Sequence, residues 1–490
     1  MIDYKKIKRG AAMLLATASL LGMASCGGMT GATSSSNPAV DWSKIEVPEY
    51  TSTKRVEFCA YGSPTNARWD GSSANAEGLT DESYKLMADG GFTTVQPLFE
   101  GYLRKSGATI EEISAKAEED AMKALALCEK YGLTYCVRDW TFYGFVNKVS
   151  AEDTDAVLEK MFRKENPYVS HPNWIGNNLH DEPDMVQLEK LVPVVDKFLE
   201  MYPDKDCFVN LNPIYATADQ LKLKENETYV DYVKYYCDNI GEKLGYVSYD
   251  YYPLFKSQYG TYVKSTYLQN FEIVAQEAKA RDIDFRLYIQ TAQAFPGSSR
   301  DIVGVQDYRF QIYTAMAFGV DYFMYYTYHD TNGNDIKEAL VDVNCKPTFR
   351  YYAAKTVNNE VHAWENVFTS FDWEGVMCYD GDIMRPNEAF EYLEQELESH
   401  ERIESVDAKI DTVIGTFKDQ EDRDGFMIVN YTDPYNDQTG DVTVKFKDAQ
   451  ALLMYRYGQK VVVPLKADGS YTFKLEPGEG RFVIPLKAEA

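Results

Sequence analysis

From residue 55 onward, short apolar runs rich in β-branched and aromatic residues recur along the chain. They open near Arg55, Phe92, Leu133, Trp174, Cys207, Tyr246, Phe285 and Val320, spaced 33 to 41 residues apart. Runs of this length between turn residues predict strands, and the intervening stretches change to a three-to-four period that predicts helices. Thr80 is placed to cap one helix, with Asp81 and Glu82 in its first turn and Gly90-Gly91 at its end. Leu188, Leu191, Val192, Val195, Phe198 and Leu199 share one face of another, and Pro193 inside that run is expected to kink or split it. Eight strands alternating with helices predict an α/β fold of the (β/α)8 TIM-barrel kind over residues 51–368, closed by a helix from Pro347 to Phe368. A doubly wound sheet is the alternative. It is disfavoured because the first strand, RVEFCAYGSPT, runs into no glycine-rich phosphate loop.

Past residue 370 the pattern shortens. DTVIGTF, GFMIVNYT, DVTVKF, ALLMYRYG, KVVVPL and SYTFKLEPGEGRFVIPL alternate apolar and polar positions between turn residues. Residues 369–490 are therefore expected to form a C-terminal all-β sandwich. The acidic run NEAFEYLEQELESHERIES is expected to form a helix ahead of it.

The N-terminus follows another logic. KKIKRG is a positive segment, AAMLLATASLLGMA an apolar one too short to span a membrane comfortably, and MASC closes it at Cys26. Residues 1–25 read as a signal peptide and 26–50 as a flexible tether, GGMTGATSSSNP and onward. The pattern resembles a bacterial lipobox, which implies lipidation of Cys26 and removal of what precedes it. With Gly27 and no aspartate after the cysteine, it implies an outer-membrane lipoprotein of a Gram-negative bacterium, facing either the periplasm or the cell surface.

Composition narrows the partners. A formal charge of −26 argues against nucleic acid, whose phosphates need a basic surface. The 38 tyrosines lean toward carbohydrate, since each offers a flat apolar face with a polar tip. Apart from Cys26, seven cysteines remain, mostly inside apolar runs, with neither paired nor zinc-like spacing; no metal or other cofactor is expected.

In a barrel of this kind the reacting groups gather at the C-terminal ends of the strands. Those ends offer Tyr61, then Glu100, then Arg138, Asp139 and Trp140. The fourth gives Asp181 and Glu182, from WIGNNLHDEPDMVQLEKLV, and the fifth Asn210 and Asn212. The last three add Asp250 and Tyr252, then Gln290 and Gln293, then Tyr325, Tyr326, Tyr328 and Asp330. Acids and amides suit hydroxyl groups, and aromatic faces suit the apolar side of a sugar ring.

These residues resemble the barrel glycoside hydrolases, whose acid/base glutamate ends strand four, often as NEP. Here the motif is DEP, and the resemblance implies that Glu182 is the general acid/base. The retaining members carry a nucleophilic glutamate at the end of strand seven, where this chain reads IQTAQAF. Two other carboxyls can assist. Asp250 could supply the second carboxylate, its separation from Glu182 deciding the stereochemistry. Alternatively Asp181 and Glu182 could act together, which resembles substrate-assisted hexosaminidases; both then enter the pocket only if the strand has already broken into loop. HDEP, NLNPIYA, SYDYYPL and YRFQIYTAMAFGVDYFMYYTY together resemble a set of glycosidase-like barrel lipoproteins secreted by bacteria. The plainer readings are that Asp181 or Asp184 caps the next helix, that Asp250 is structural, and that alternate tyrosines of strand eight face the outer helices. A glycan-binding lipoprotein that kept the barrel without catalysis is the rival function, favoured by the absent strand-seven glutamate.

Overall fold

The computed structural model describes residue 40 and residues 42–65, 77–97, 110–138, 166–295, 298–329, 339–382 and 386–487. The expected rhythm gives six strands first: β1 (Glu57–Tyr61), β2 (Thr94–Gln96), β3 (Thr134–Val137), β4 (Trp174–Asp181), β5 (Asp206–Asn210) and β6 (Tyr246–Asp250). A hairpin, β7 (Leu254–Ser257) and β8 (Gly260–Val263), intervenes before β9 (Asp284–Gln290) and β10 (Tyr322–Tyr326). The eight barrel strands pair in parallel in the order β5-β4-β3-β2-β1-β10-β9-β6. Leu211 N donates to Ser248 O at 2.8 Å and joins the two outer members, closing the barrel.

Strand alternation sorts the side chains. Cys59 and Tyr61 of β1 pack inside with Tyr288 of β9 and with Tyr322 and Met324 of β10. Phe58, Ala60, Phe323 and Tyr325 join the larger core under the helices. Arg286 plugs the N-terminal end: its guanidinium lies 3.7 Å from the Tyr246 ring and pairs with Asp206 at 2.8 Å. Among the described residues the C-terminal end carries no such plug.

Thr80 caps the helix Asp81–Asp89 as expected, accepting from Ser83 N at 3.2 Å. Two helical expectations need correction. The helix Met185–Met201 does not split at Pro193, because Leu188, Leu191, Val194, Val195 and Phe198 are buried along its whole length and hold it against the sheet. The closing helix divides into Phe349–His362 and Glu365–Phe368, with Trp364 buried at the break.

The C-terminal part is a sandwich. One sheet runs β11 (Phe371–Tyr379), β13 (Thr412–Asp419), β14 (Asp424–Asn430), β19 (Gly480–Leu486), β16 (Ala451–Arg456), β17 (Gln459–Pro464). The other runs β12 (Ile403–Ala408), β15 (Gly440–Phe446), β18 (Ser470–Leu475). The acidic run is not one helix: it gives a single turn, Glu388–Glu391, and then the start of β12. The backbone N–H groups of Glu394 and Gln395 instead donate to the Glu272 carboxylate, both at 2.8 Å, so a tertiary contact replaces the helical bonds.

The barrel and sandwich share one apolar core through the helix Val305–Ala317, whose residues from Tyr308 to Ala317 are buried except Arg309. That helix lies so close to the sheet that a Cβ on Gly415 would stand 2.2 Å from Ala317 O, and one on Gly480 2.6 Å from Tyr313. Backbone cannot step aside as a flexible side chain can. Gly415→Ala is therefore expected to destabilise the protein by about 1–3 kcal/mol, read as a lower midpoint in thermal or urea unfolding; an unchanged midpoint would contradict this close packing.

Candidate active site

The fourth strand delivers two acids to one place by breaking its own regularity. The β4–β5 register shifts between Asn178 and His180, and the strand ends at Asp181. Such a bulge re-aims the residues that follow it. Glu182 then takes a left-handed conformation at φ 50°. Its N–H donates to Asn210 O at 2.9 Å. The next carbonyl, Pro183 O, accepts from the Tyr232 hydroxyl at 2.6 Å and from Asn212 Nδ2 at 3.2 Å. The following helix is capped by Asp184 and Gln187, each accepting the other's backbone N–H at 2.8 Å. Asp181 and Glu182 are thereby left out of the cap, and both line the same cavity.

That cavity, about 630 Å³, opens at the C-terminal end of the barrel. Asp250 at the end of β6 is its third acid. Asn210 joins two of the three: its Nδ2 donates to Asp250 Oδ1 at 3.1 Å and to Asp181 Oδ1 at 3.3 Å, while its Oδ1 accepts from Ser248 at 2.9 Å. Tyr61 donates to Asp181 Oδ2 at 3.3 Å and accepts from Arg138 Nη1 at 3.1 Å.

Glu182 is exposed to the cavity that it lines. Among the described residues no donor reaches that carboxyl. Burial first, and the negative charge of Asp181 second, push its pKa up to about 7. Asp250 is raised well above the usual carboxylate range by burial, then by Glu182 and Asp181, with the Asn210 hydrogen bond opposing. His180 is held below the usual imidazole range, chiefly by burial, and its Nδ1 lies 2.9 Å from Asp181 O.

An aromatic wall faces these acids. Tyr326 stacks on Tyr252 at 5.3 Å and lies 5.9 Å from Tyr61, which meets Tyr288 edge-on at 4.8 Å. Tyr215 and Phe295 complete it.

Of the positions singled out from the sequence, Tyr61, Asp181, Glu182, Asn210, Asn212, Asp250, Tyr252 and Tyr326 line the cavity. Arg138 is buried behind Tyr61, and the side-chain amide of Asn212 is engaged with Pro183. Three expectations are corrected. Gln290 is fully buried and tied to Leu254 N, Ala292 O and Arg300 O, and Gln293 donates to Ser299 O, so both shape the backbone after β9. Tyr328, like Tyr325, packs outward, where Phe92 meets each ring edge-on. Glu100, Asp139, Trp140, Asp330 and Cys26 lie outside the described residues. Tyr215, Tyr288 and Phe295 were missed. Strand parity would have flagged Tyr288, two residues before Gln290, and Tyr215 stands within the NLNPIYA motif.

An acid-lined, aromatic-walled cavity at the C-terminal mouth of a (β/α)8 barrel is thus what the fold and site define. No family model matches the chain, and no curated protein does either. Solved structures do share its architecture. A β-galactosidase from Bacillus circulans sp. alkalophilus superposes with a TM-score of 0.53 at 8% identity, covering 88% of this chain and 99% of that one. A glycoside hydrolase aligns at 11% identity over 88% and 92%, with a TM-score of 0.48. The β-galactosidase from the psychrophilic Marinomonas ef1 aligns at 12% identity with a TM-score of 0.45, over 64% of this chain and 60% of that enzyme's length. The first of these likenesses agrees with the barrel-and-sandwich fold.

The raised carboxyl has a consequence for stability. Glu182 binds its proton more tightly folded, at about 7, than at its ordinary value of 4.5. Its contribution is therefore present at low pH and lost as pH rises through that window. Glu182→Gln cannot titrate, so its melting temperature should gain on that of the wild type between pH 4.5 and 7. A constant difference across that range would contradict the shift.

Proposed function

We propose that this protein hydrolyses O-glycosidic bonds of an oligo- or polysaccharide, with Glu182 as general acid/base. The observation that carries the reading is a glutamate with its pKa raised to about 7, held in a left-handed turn at the end of β4 beside two further carboxyls. Such a carboxyl is protonated in a useful fraction of molecules near neutral pH and can give its proton to the leaving oxygen as the C1–O bond breaks. The resulting carboxylate then takes a proton from the water that attacks C1. Asp250 or Asp181 assists: Asp181 by stabilising positive charge at C1 or by orienting a neighbouring acetamido group, and Asp250, whose raised pKa favours its neutral form, by stabilising that charge only once it has given up its proton. The aromatic wall would receive the apolar face of the sugar.

Product release from aryl glycosides, N-acetylhexosaminides and host and plant oligosaccharides tests this with wild type and Glu182→Gln side by side. The wild type should cleave at least one substrate, and Glu182→Gln should lose about 100-fold or more of that rate, the usual worth of a positioned acid/base. An equally active Glu182→Gln would sink the assignment. A second reading, a glycan-binding lipoprotein without catalysis, is favoured by Gln290 and Gln293, which put no carboxylate at the end of β9. Binding without cleavage by both proteins would support it.

The lipobox-like segment ending at Cys26 supports an outer-membrane lipoprotein anchored through that residue. Radiolabelled fatty acid should enter the wild type and not Cys26→Ala; equal labelling would overturn the anchor.

A further inference from the structure

The β7–β8 hairpin packs beside the cavity and is locally basic. Between Leu254 and Ser265 it carries Lys256 and Lys264 and no acidic residue, in a protein with 76 acids. Lys256 is exposed, and neither lysine forms an ion pair among the described residues. Lys264 is half-buried, and burial lowers its ammonium's pKa with no neighbouring carboxylate to offset it.

Its position is specific. The ammonium lies 4.2 Å from the centre of the Tyr215 ring and 5.0 Å from that of Phe255. Tyr215 is part of the cavity wall, and Phe255 stacks at 6.0 Å on Phe295, which is also wall. Glu182 and Asp250 both bear electrostatically on the hydroxyl of the same Tyr215. The same ring thus meets the cation and feels the charge of the acids. Tyr259, 91% exposed, and Tyr262 continue the aromatic surface outward along the hairpin.

A neutral sugar can accept hydrogen bonds from this ammonium, but only an anionic one also gains a charge pair with it. A negatively charged one would be repelled from the three acids and drawn to the lysine. We propose that the β7–β8 hairpin forms a subsite for an anionic sugar unit, its carboxylate or sulfate paired with Lys264 and its ring against the aromatic surface, so that the neighbouring unit lies at Glu182. The substrate class is then an acidic glycan. This rests on the hydrolase reading.

The test uses the full chain carrying Glu182→Gln on an array of uronate-bearing, sulfated and neutral glycans. Acidic glycans should dominate binding, and the uronate and sulfate arms tell which group is recognised. Adding Lys264→Met should weaken the acidic hits about ten-fold, as expected for loss of one charge-assisted hydrogen bond. Lys264→Arg should retain them, and equal melting temperatures show that both variants fold. Binding confined to neutral glycans, or acidic binding indifferent to Lys264→Met, overturns the subsite and leaves hydrolysis standing. Binding to nothing on the array overturns the glycan reading as well.

Discussion

Everything at the mouth of the barrel depends on the left-handed turn at Glu182. Consecutive residues of a strand point to opposite faces, so a regular β4 would send Asp181 and Glu182 apart. A bulge between Asn178 and His180, followed by φ 50° at Glu182, brings both to the cavity. A non-glycine residue in that region costs about 1–3 kcal/mol, and it persists only where its surroundings hold it there. Here they do: Asn210 O takes the Glu182 N–H, and Tyr232 and Asn212 together hold Pro183 O. Tyr229 donates to Asn212 O and accepts from Asn270, so the clamp reaches back to the helix Tyr267–Arg281.

Once the acids are gathered, electrostatics decides their roles. Three carboxyls in one partly enclosed cavity cannot all ionise at low cost. Asn210 binds Asp181 and Asp250 with one amide group, whereas Glu182 receives no donor among the described residues. Burial also raises Asp250 well above the carboxylate range despite its Asn210 bond, whereas Glu182, lifted to about 7, is the carboxyl poised both to hold and to release a proton near neutrality. The aromatic wall and the sandwich-backed helix Val305–Ala317 keep this arrangement on rigid elements, with Gln311 of that helix bonded to the backbone of Gln290 at the end of β9.

The barrel and most of the sandwich were legible because strand spacing and apolar runs are local signals. All eight barrel strands begin within two residues of where their apolar runs open, and DEP at the end of β4 drew attention to Asp181 and Glu182. What was not legible was decided by tertiary partners. Gln290 and Gln293 have the residue type of a binding site, but backbone groups of the following loop claim them. Tyr328 is indistinguishable from Tyr326 by type, and only its place under the helices separates them. The acidic run after residue 386 looked helical until Glu272, far away in sequence, took its backbone donors. Tyr215 and Phe295 sit in loops, where no periodicity points inward.

The claim on which the account turns is that Glu182 holds its proton to about pH 7 because desolvation at the cavity wall and the neighbouring Asp181 charge both disfavour its ionised form. Infrared difference spectra of the carboxyl band, wild type minus Glu182→Gln, measure that directly across pH. The account predicts a midpoint near 7 that falls when Asp181→Asn removes the neighbouring charge. A midpoint near the ordinary 4.5, unmoved by Asp181→Asn, would contradict it.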